Sequence, residues 1–469
     1  MRKFILPSNR SLSVHSVMMP ILGTKMLAGI VGMAAVMLAG SVSMAAAHDG
    51  SGQSVEIEPE LETRPTFDDE VGGYRATDDV AIWINPRDTE ASLVLASQKE
   101  GGLAVYDIDG KLLQDILAPT PPGPDDNPGR INNVDVAYDF LLSGYGQVDI
   151  AVVSDRGLDQ LRIYVIDRDD PNGPLIDVSA ASLPWIFAAS QEEVKEEFTA
   201  YGLTTWQWFG NTEVFVTQNG EPVVARLRLV NRGDGTVTYE HLGTIDLPTQ
   251  FLLPDGTTWE PCTDPDERPF AEGLVVDDDR GILYVAQEAV GIWKVPVWFY
   301  QGRPRLVDTV GEYGVPWTYE ADADEECVIH YDQDSGYGGK WLTTDVEGLA
   351  IYDGGHGRGY LIASSQGSDT FVIYDRGWGN TPIGEFRVVA DDGIDGVNGT
   401  DGFDVTNVDV GGEFDDGLLV LQDEPNTPDV YDDEGELRDN ANLKFVKWDD
   451  VAEAFEPELI VNTDPDPRD

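Results

Sequence analysis

Six times along the chain, a short run of Val, Ile, Leu, Ala and aromatic residues is followed by a turn and then by two further runs of the same kind. The first runs lie at 80–83, 134–137, 202–205, 273–276, 348–351 and 404–407. The second lie at 92–96, 148–153, 214–217, 282–286, 360–364 and 418–422. The third lie at 103–106, 161–166, 224–229, 291–295, 370–374 and 443–448. Gly, Asp, Asn and Pro separate them, which is the pattern of an all-β chain. The copies are spaced by about 55 to 75 residues, more than the roughly 40 to 50 of a compact propeller blade, and loops supply the difference. Six antiparallel units can close into a ring with only short, protected edges. A jelly roll or paired sandwiches would need no sixfold recurrence, so the pattern predicts an all-β, six-bladed β-propeller. Helical periodicity is scarce, with its clearest stretch at 190–199. Residues 55–66 belong to no unit and are expected to complete the last blade and fasten the ring.

The N-terminus reads as a targeting segment. Arg2, Lys3, Arg10 and Lys25 are basic, residues 26–40 carry no charge, and Ala45-Ala46-Ala47 offers a small-residue cleavage site. This predicts a signal peptide over 1–47 and a single propeller domain over 48–469, secreted to a periplasmic or extracellular space. The apolar run is shorter than the ~20 residues of a membrane span, and a retained N-terminal anchor is the alternative. With 86 Asp+Glu against 30 Lys+Arg, the formal charge is −56. Such a surface repels nucleic acid and anionic lipid and suits a soluble monomer. A hydrophobic share of 41% with 11 Trp still allows a large core, so disorder is excluded. Cys262 and Cys327 both fall in the exported part. An oxidising compartment permits one disulfide between them, with two free thiols as the alternative.

In a propeller the innermost strands all run the same way along the central channel, so residues at their starts collect at one mouth. Here those positions hold Asp78 and Asp79, Asn133 and Asp135, Glu272, Glu347 with Asp345 nearby, and Asp401 with Asp404. Only the third unit, with Tyr201, brings no acid. An aspartate before a strand is a common turn residue, so the argument for a site rests on the phasing. Crowded carboxylates repel one another unless protonated or bridged by cations. Oxygen ligands in loops favour calcium, whereas zinc or copper would call for His or Cys. The sequence has no HExxH, G-x-S-x-G or P-loop pattern, and residues 332–339 lack the closing Glu of a calcium loop. Attack of a metal-bound water on a phosphate is the reaction such carboxylates suit.

Several segments resemble the β-propeller phytase family. They are Thr77-Asp78-Asp79-Val80-Ala81-Ile82-Trp83, Asn132-Asn133-Val134-Asp135-Val136, Ala271-Glu272-Gly273 with Gln287-Glu288, Asp345-Val346-Glu347-Gly348-Leu349, and Thr400-Asp401-Gly402 with Asp395-Gly396 and Gln422-Asp423. The resemblance runs in order from about residue 75 to 450. It implies a six-bladed fold, several calcium ions, and stepwise hydrolysis of phytate and lower inositol phosphates, with a water bridging two calcium ions attacking phosphorus. Carried over by position, Asp79, Glu272, Glu288, Glu347, Asp395 and Asp401 hold the calcium cluster, with Asp345 beside them. Asp78, Asn133, Asp135 and Asp423 serve a structural calcium or orient the cluster. Lys99 and Arg156 match the family's phosphate contacts and join Glu347, Glu288, Asp401 and Asp395 in the expected catalytic set. Tyr201 either contacts substrate or plugs the third blade. On the same resemblance, a Cys262–Cys327 disulfide would tie two rim loops above the cluster.

Two departures bear on specificity. Val80 stands where the family usually has proline, and the segment Thr217-Gln218-Asn219-Gly220-Glu221 has no lysine where members commonly supply one. The second weakens the expectation of a neighbouring phosphate site. It leaves open a propeller acting on another phosphoester, or a calcium-stabilised binding propeller with no catalysis.

Overall fold

The computed structural model describes residues 52–70, 75–265, 267–298, 302–320 and 327–468. The expected leader, 1–47, lies outside them. Four blades are four-stranded antiparallel sheets in sequence order. The first comprises Val80–Trp83, Leu93–Ser97, Leu103–Asp107 and Leu112–Ile116. The second comprises Ile131–Leu142, Gly146–Asp155, Gln160–Ile166 and Leu175–Asp177. The third comprises Ala200–Trp208, Asn211–Gln218, Glu221–Asn231 and Val237–Asp246. The fourth comprises Leu274–Asp277, Ile282–Gln287, Gly291–Pro296 and Arg305–Thr309. Second strands such as Leu93–Ser97, Ile282–Gln287 and Leu418–Asp423 are buried at every position. Their unbroken apolar runs suit a strand covered on both faces.

The core lies between blades. Val80, Ile82 and Val94 of the first pack against Val420, Leu443 and Phe445 of the sixth, and Ala81 and Leu95 pack against Val136 and Val153 of the second. Equivalent clusters fill the other interfaces. The innermost strands touch in cyclic order, the sixth returning to the first. The result is a six-bladed β-propeller.

Both ends of the described chain close this ring. The fifth blade is Val346–Asp353, Gly359–Ser365, Thr370–Asp375 and Pro382–Val388, and Gln53–Ile57 adds to its edge in parallel. The sixth is Phe403–Thr406, Leu418–Asp423 and Asn440–Lys447, completed by Leu61–Glu62 and Thr66–Phe67. The later part of the segment 55–66 thus does complete the last blade, while its first residues, 55–57, extend the fifth. The C-terminal tail follows the helix Trp448–Glu453. Trp448 stacks on Tyr352 of the fifth blade at 4.0 Å. Farther on, Arg468 donates to the Ile84 carbonyl at 2.6 Å and to Asp149 at 2.7 Å, on the first and second blades. The expected helix at 190–199 shrinks to the single turn Gln191–Val194, capped by Ser190. Its acidic residues offer no apolar face to extend it, and Glu197 leaves with φ 63°.

Lys444 holds the closure from inside. Fully buried, its ammonium donates to Glu62 at 2.5 Å, Asn426 at 2.9 Å and Asp395, and lies 3.2 Å from Asp423. Removing one partner of a buried pair leaves uncompensated charge behind. Lys444→Met is therefore expected to lower unfolding stability by about 3–5 kcal/mol, measured by denaturant unfolding. A loss below about 1 kcal/mol, the scale of a surface pair, would contradict this role.

Candidate active site

In an antiparallel blade, the second strand ends where the first begins. The hairpin joining the second and third strands therefore sits at the same mouth as the innermost strand's start. Those hairpins present Lys99, Arg156, Asn219, Glu288, Gln366 and Glu424 in blade order. Starts and hairpins together build the site.

Its centre is Glu272, Glu288 and Glu347, which each offer a carboxylate oxygen within 4.8 Å of the others. Glu288 Oε1 and Glu347 Oε2 are buried without a donor. Burial, then Asp345 and Glu272, pushes the Glu288 carboxyl well up. Burial, then Glu288 and Glu272, does the same to Glu347. Glu272 rises to about 7 through burial and the charge of Asp78. It is eased by a hydrogen bond from the Tyr201 hydroxyl and by Asn132 Nδ2 at 2.6 Å. A buried carboxylate with no donor is costly. An all-oxygen set of this kind fits a hard divalent cation such as calcium.

Lys99 balances the other flank. Its ammonium lies 3.4 Å from Asp78, 3.6 Å from Glu424 and 3.9 Å from Asp401. Asp401 also accepts from Gln366 Nε2 at 2.6 Å, and burial and Asp78 hold its carboxyl well up. Arg156 places its guanidinium over the Tyr201 ring at 5.1 Å. Its Nε is buried with no acceptor. The Tyr201 hydroxyl is pushed well up by burial and by Glu272, Glu288 and Glu347. The aromatic thus faces the carboxylates while supporting the arginine.

Other groups at the starts of the innermost strands have partners within the protein. Asp79 accepts from the Val134 amide at 3.0 Å. Asp135 accepts from the Thr205 amide at 2.6 Å and from the Thr204 and Thr205 hydroxyls. Asp404 accepts from the Ile82 amide at 2.8 Å. Each aspartate clasps the innermost strand of one blade to that of the next. Asn133 Oδ1 accepts from Asn132 at 2.8 Å. Asp345 bears on Glu288 and Glu347 through its charge.

Asp395, expected in the calcium cluster, and Asp423, expected to serve a structural calcium or orient the cluster, both lie against Lys444. Burial alone would raise Asp395, but Lys444 and Thr427 donate to it and hold its carboxyl below the ordinary value. The charge expected from a cation there comes from a lysine. Cys262 and Cys327 form the disulfide. It joins the loop before the fourth blade to the hairpin of Trp317–Tyr319 and Cys327–Ile329. Asn132, Gln366 and Glu424 were not among the expected site residues. Asn132 and Glu424 lie in or beside the quoted segments, and Gln366 is visible only once the hairpins are seen to share a phase.

A profile of the phytase family matches residues 23–252 and 310–469. The chain belongs to the phytase family. The 3-phytase of Bacillus subtilis (strain 168) is 30% identical over 391 residues, 81% of this chain and 81% of the relative. Among solved structures, the allergen Mala s 1 of Malassezia sympodialis shares 13% identity at a TM-score of 0.37, covering 78% of this chain and 92% of that one. The β-propeller domain of Cps50 (Swd1) from Myceliophteria thermophila shares 10% at 0.34, covering 78% and 83%. Likeness this slight carries no functional weight. As a phytase-family enzyme the protein is a phosphoric monoester hydrolase.

The raised carboxyls of this phytase set a pH dependence. Burial, together with neighbouring acids, lifts Glu272 and Asp404 to about 7. In the unfolded chain such groups ionise near pH ~4. A folded carboxyl held above that value favours the fold while protonated, and the benefit disappears as pH rises through the folded value. Without metal, the melting temperature is expected to fall between pH 5 and pH 8. Calcium, which favours the ionised forms, is expected to restore it at pH 8. A metal-free melting temperature that rises over this range would contradict the reading.

Proposed function

We propose that this enzyme hydrolyses phosphate monoesters of phytate in a calcium-dependent reaction, after export and removal of residues 1–47. The observation that carries the reading is the trio Glu272, Glu288 and Glu347, with buried donor-free oxygens, set beside Lys99 and Arg156. An acidic mouth alone would repel a phosphate ester, and a purely structural ring would need no cations next to it.

In this reading Glu272, Glu288 and Glu347 hold calcium, with Asp78, Asp401 and Asp345 beside them. Bound calcium would supply charge neutralisation and an activated water. The chain's own groups do the rest. Lys99 meets the phosphoryl oxygens from the first-blade hairpin, where its charge offsets the build-up on the equatorial oxygens. Arg156 does so from the second blade, with the Tyr201 ring fixing the guanidinium plane. Asn132 and the Tyr201 hydroxyl keep Glu272 oriented. Asp79, Asp135 and Asp404 lock the strands that present these groups. The second reading, a phosphoester with a single phosphate, is favoured by the uncharged Asn219 on the third-blade hairpin.

The test is phosphate release by the mature protein from phytate and from p-nitrophenyl phosphate, with calcium and after chelation. Release from phytate is expected to need calcium and to fall by about 100-fold or more in Glu347→Gln, with the circular dichroism spectrum unchanged. Release indifferent to both chelation and the substitution would overturn the calcium mechanism. Activity confined to the monophosphate would favour the second reading.

A further inference from the structure

Five of the six mouth hairpins carry a group able to bond or balance charge at the site, and the third carries Asn219. That side chain is turned away, with Nδ2 donating to the Glu197 carbonyl at 3.0 Å. The next stretch of chain lies against this hairpin. The Arg268 amide donates to the Gly220 carbonyl at 2.9 Å, and its guanidinium reaches Glu221 at 2.9 Å with 56% of its side chain exposed. The neighbourhood is that of Arg156. Asn219 N donates to Thr199 O at 2.9 Å, and the Thr199 hydroxyl donates to the Arg156 carbonyl at 2.7 Å. Phe270, two residues beyond Arg268, packs its ring 6.1 Å from Tyr201, the residue that supports Arg156. Glu267, next to Arg268, bears electrostatically on both Arg156 and Glu288.

We infer that Arg268 is the rim cation of the third-blade sector. It would bind a second phosphate of a polyphosphorylated ring whose first phosphate sits at the carboxylate mouth. This deepens the phytate reading and rests on it. A guanidinium matches a phosphate with two parallel N–H bonds. Its present bond to Glu221 is an exposed pair of the weakly stabilising kind, so a phosphate dianion can displace it. The arginine thereby supplies from the following blade the charge that the third-blade hairpin lacks. The Cys262–Cys327 disulfide anchors the loop that bears it.

The test uses the full mature protein with calcium, and myo-inositol hexakissulfate as a non-hydrolysable probe read by titration calorimetry. Arg268→Ala is expected to weaken binding about tenfold, the scale of one charge-assisted contact. Arg268→Lys should recover part of it, and Glu221→Gln, which frees the guanidinium, should tighten it. KM for phytate should rise with the loss of binding, and by more than KM for p-nitrophenyl phosphate. An Arg268→Ala protein that binds the hexasulfate as tightly as wild type, or loses equally on both substrates, overturns this inference alone. A wild-type protein that releases no phosphate from phytate overturns the phytate reading and this inference with it.

Discussion

Six blades share one channel only while the sixth stays against the first, and that junction is the constraint on which the rest depends. No covalent bond makes it. Apolar side chains of Val80, Ile82, Val420 and Phe445 supply the contact, and chain from both ends overlaps it. Leu61–Glu62 and Thr66–Phe67 complete the sixth blade, while the tail carries Arg468 across to Asp149. Lys444 lies within this overlap and neutralises acids drawn from three separate stretches of sequence. Crowded carboxylates repel one another unless protonated or balanced by a cation, and here one such cation is covalently part of the strand.

The same electrostatic problem is met differently at the mouth. Around Lys444 the acids have a resident ammonium, which holds the Asp395 carboxyl below its ordinary value, while burial still pushes Asp423 up to about 7. Around Glu288 and Glu347 no described residue provides an equivalent, and the carboxyls are held up towards neutrality. One cluster carries a cation of its own, and the other is a set of carboxylates that could hold a metal. That contrast separates acids that maintain the ring from acids available for chemistry, although both kinds look alike in sequence.

The fold was legible because its cause is periodic. Sixfold recurrence of buried runs shows directly in residue order, and so does the phasing of Asp78, Glu272, Glu347 and Asp401. Less legible was anything that depends on which partner arrives from another blade. Asp135 reads as a ligand until Thr204 and Thr205 are found on its carboxylate, and Asp395 and Asp423 read as ligands until Lys444 is found between them. Family resemblance could not correct this, since it transfers positions and not neighbours. Arg268 was invisible for a similar reason. It lies outside every quoted segment and matters only because the chain folds back onto the turn of the preceding blade.

The mouth hairpins have a consequence for how such a protein can change over time. In the first five blades each is a short turn between strands whose position is already fixed by the apolar layers on either side. Replacing Asn219 by a cation, or Lys99 by a neutral residue, alters the charge facing a ligand and leaves those layers untouched. The apolar layers and the groups that face a ligand are thus largely different residues, so recognition can change while the packing between blades is kept. A ring of this design can drift from one phosphorylated compound to another a single turn at a time, keeping its architecture while its diet changes.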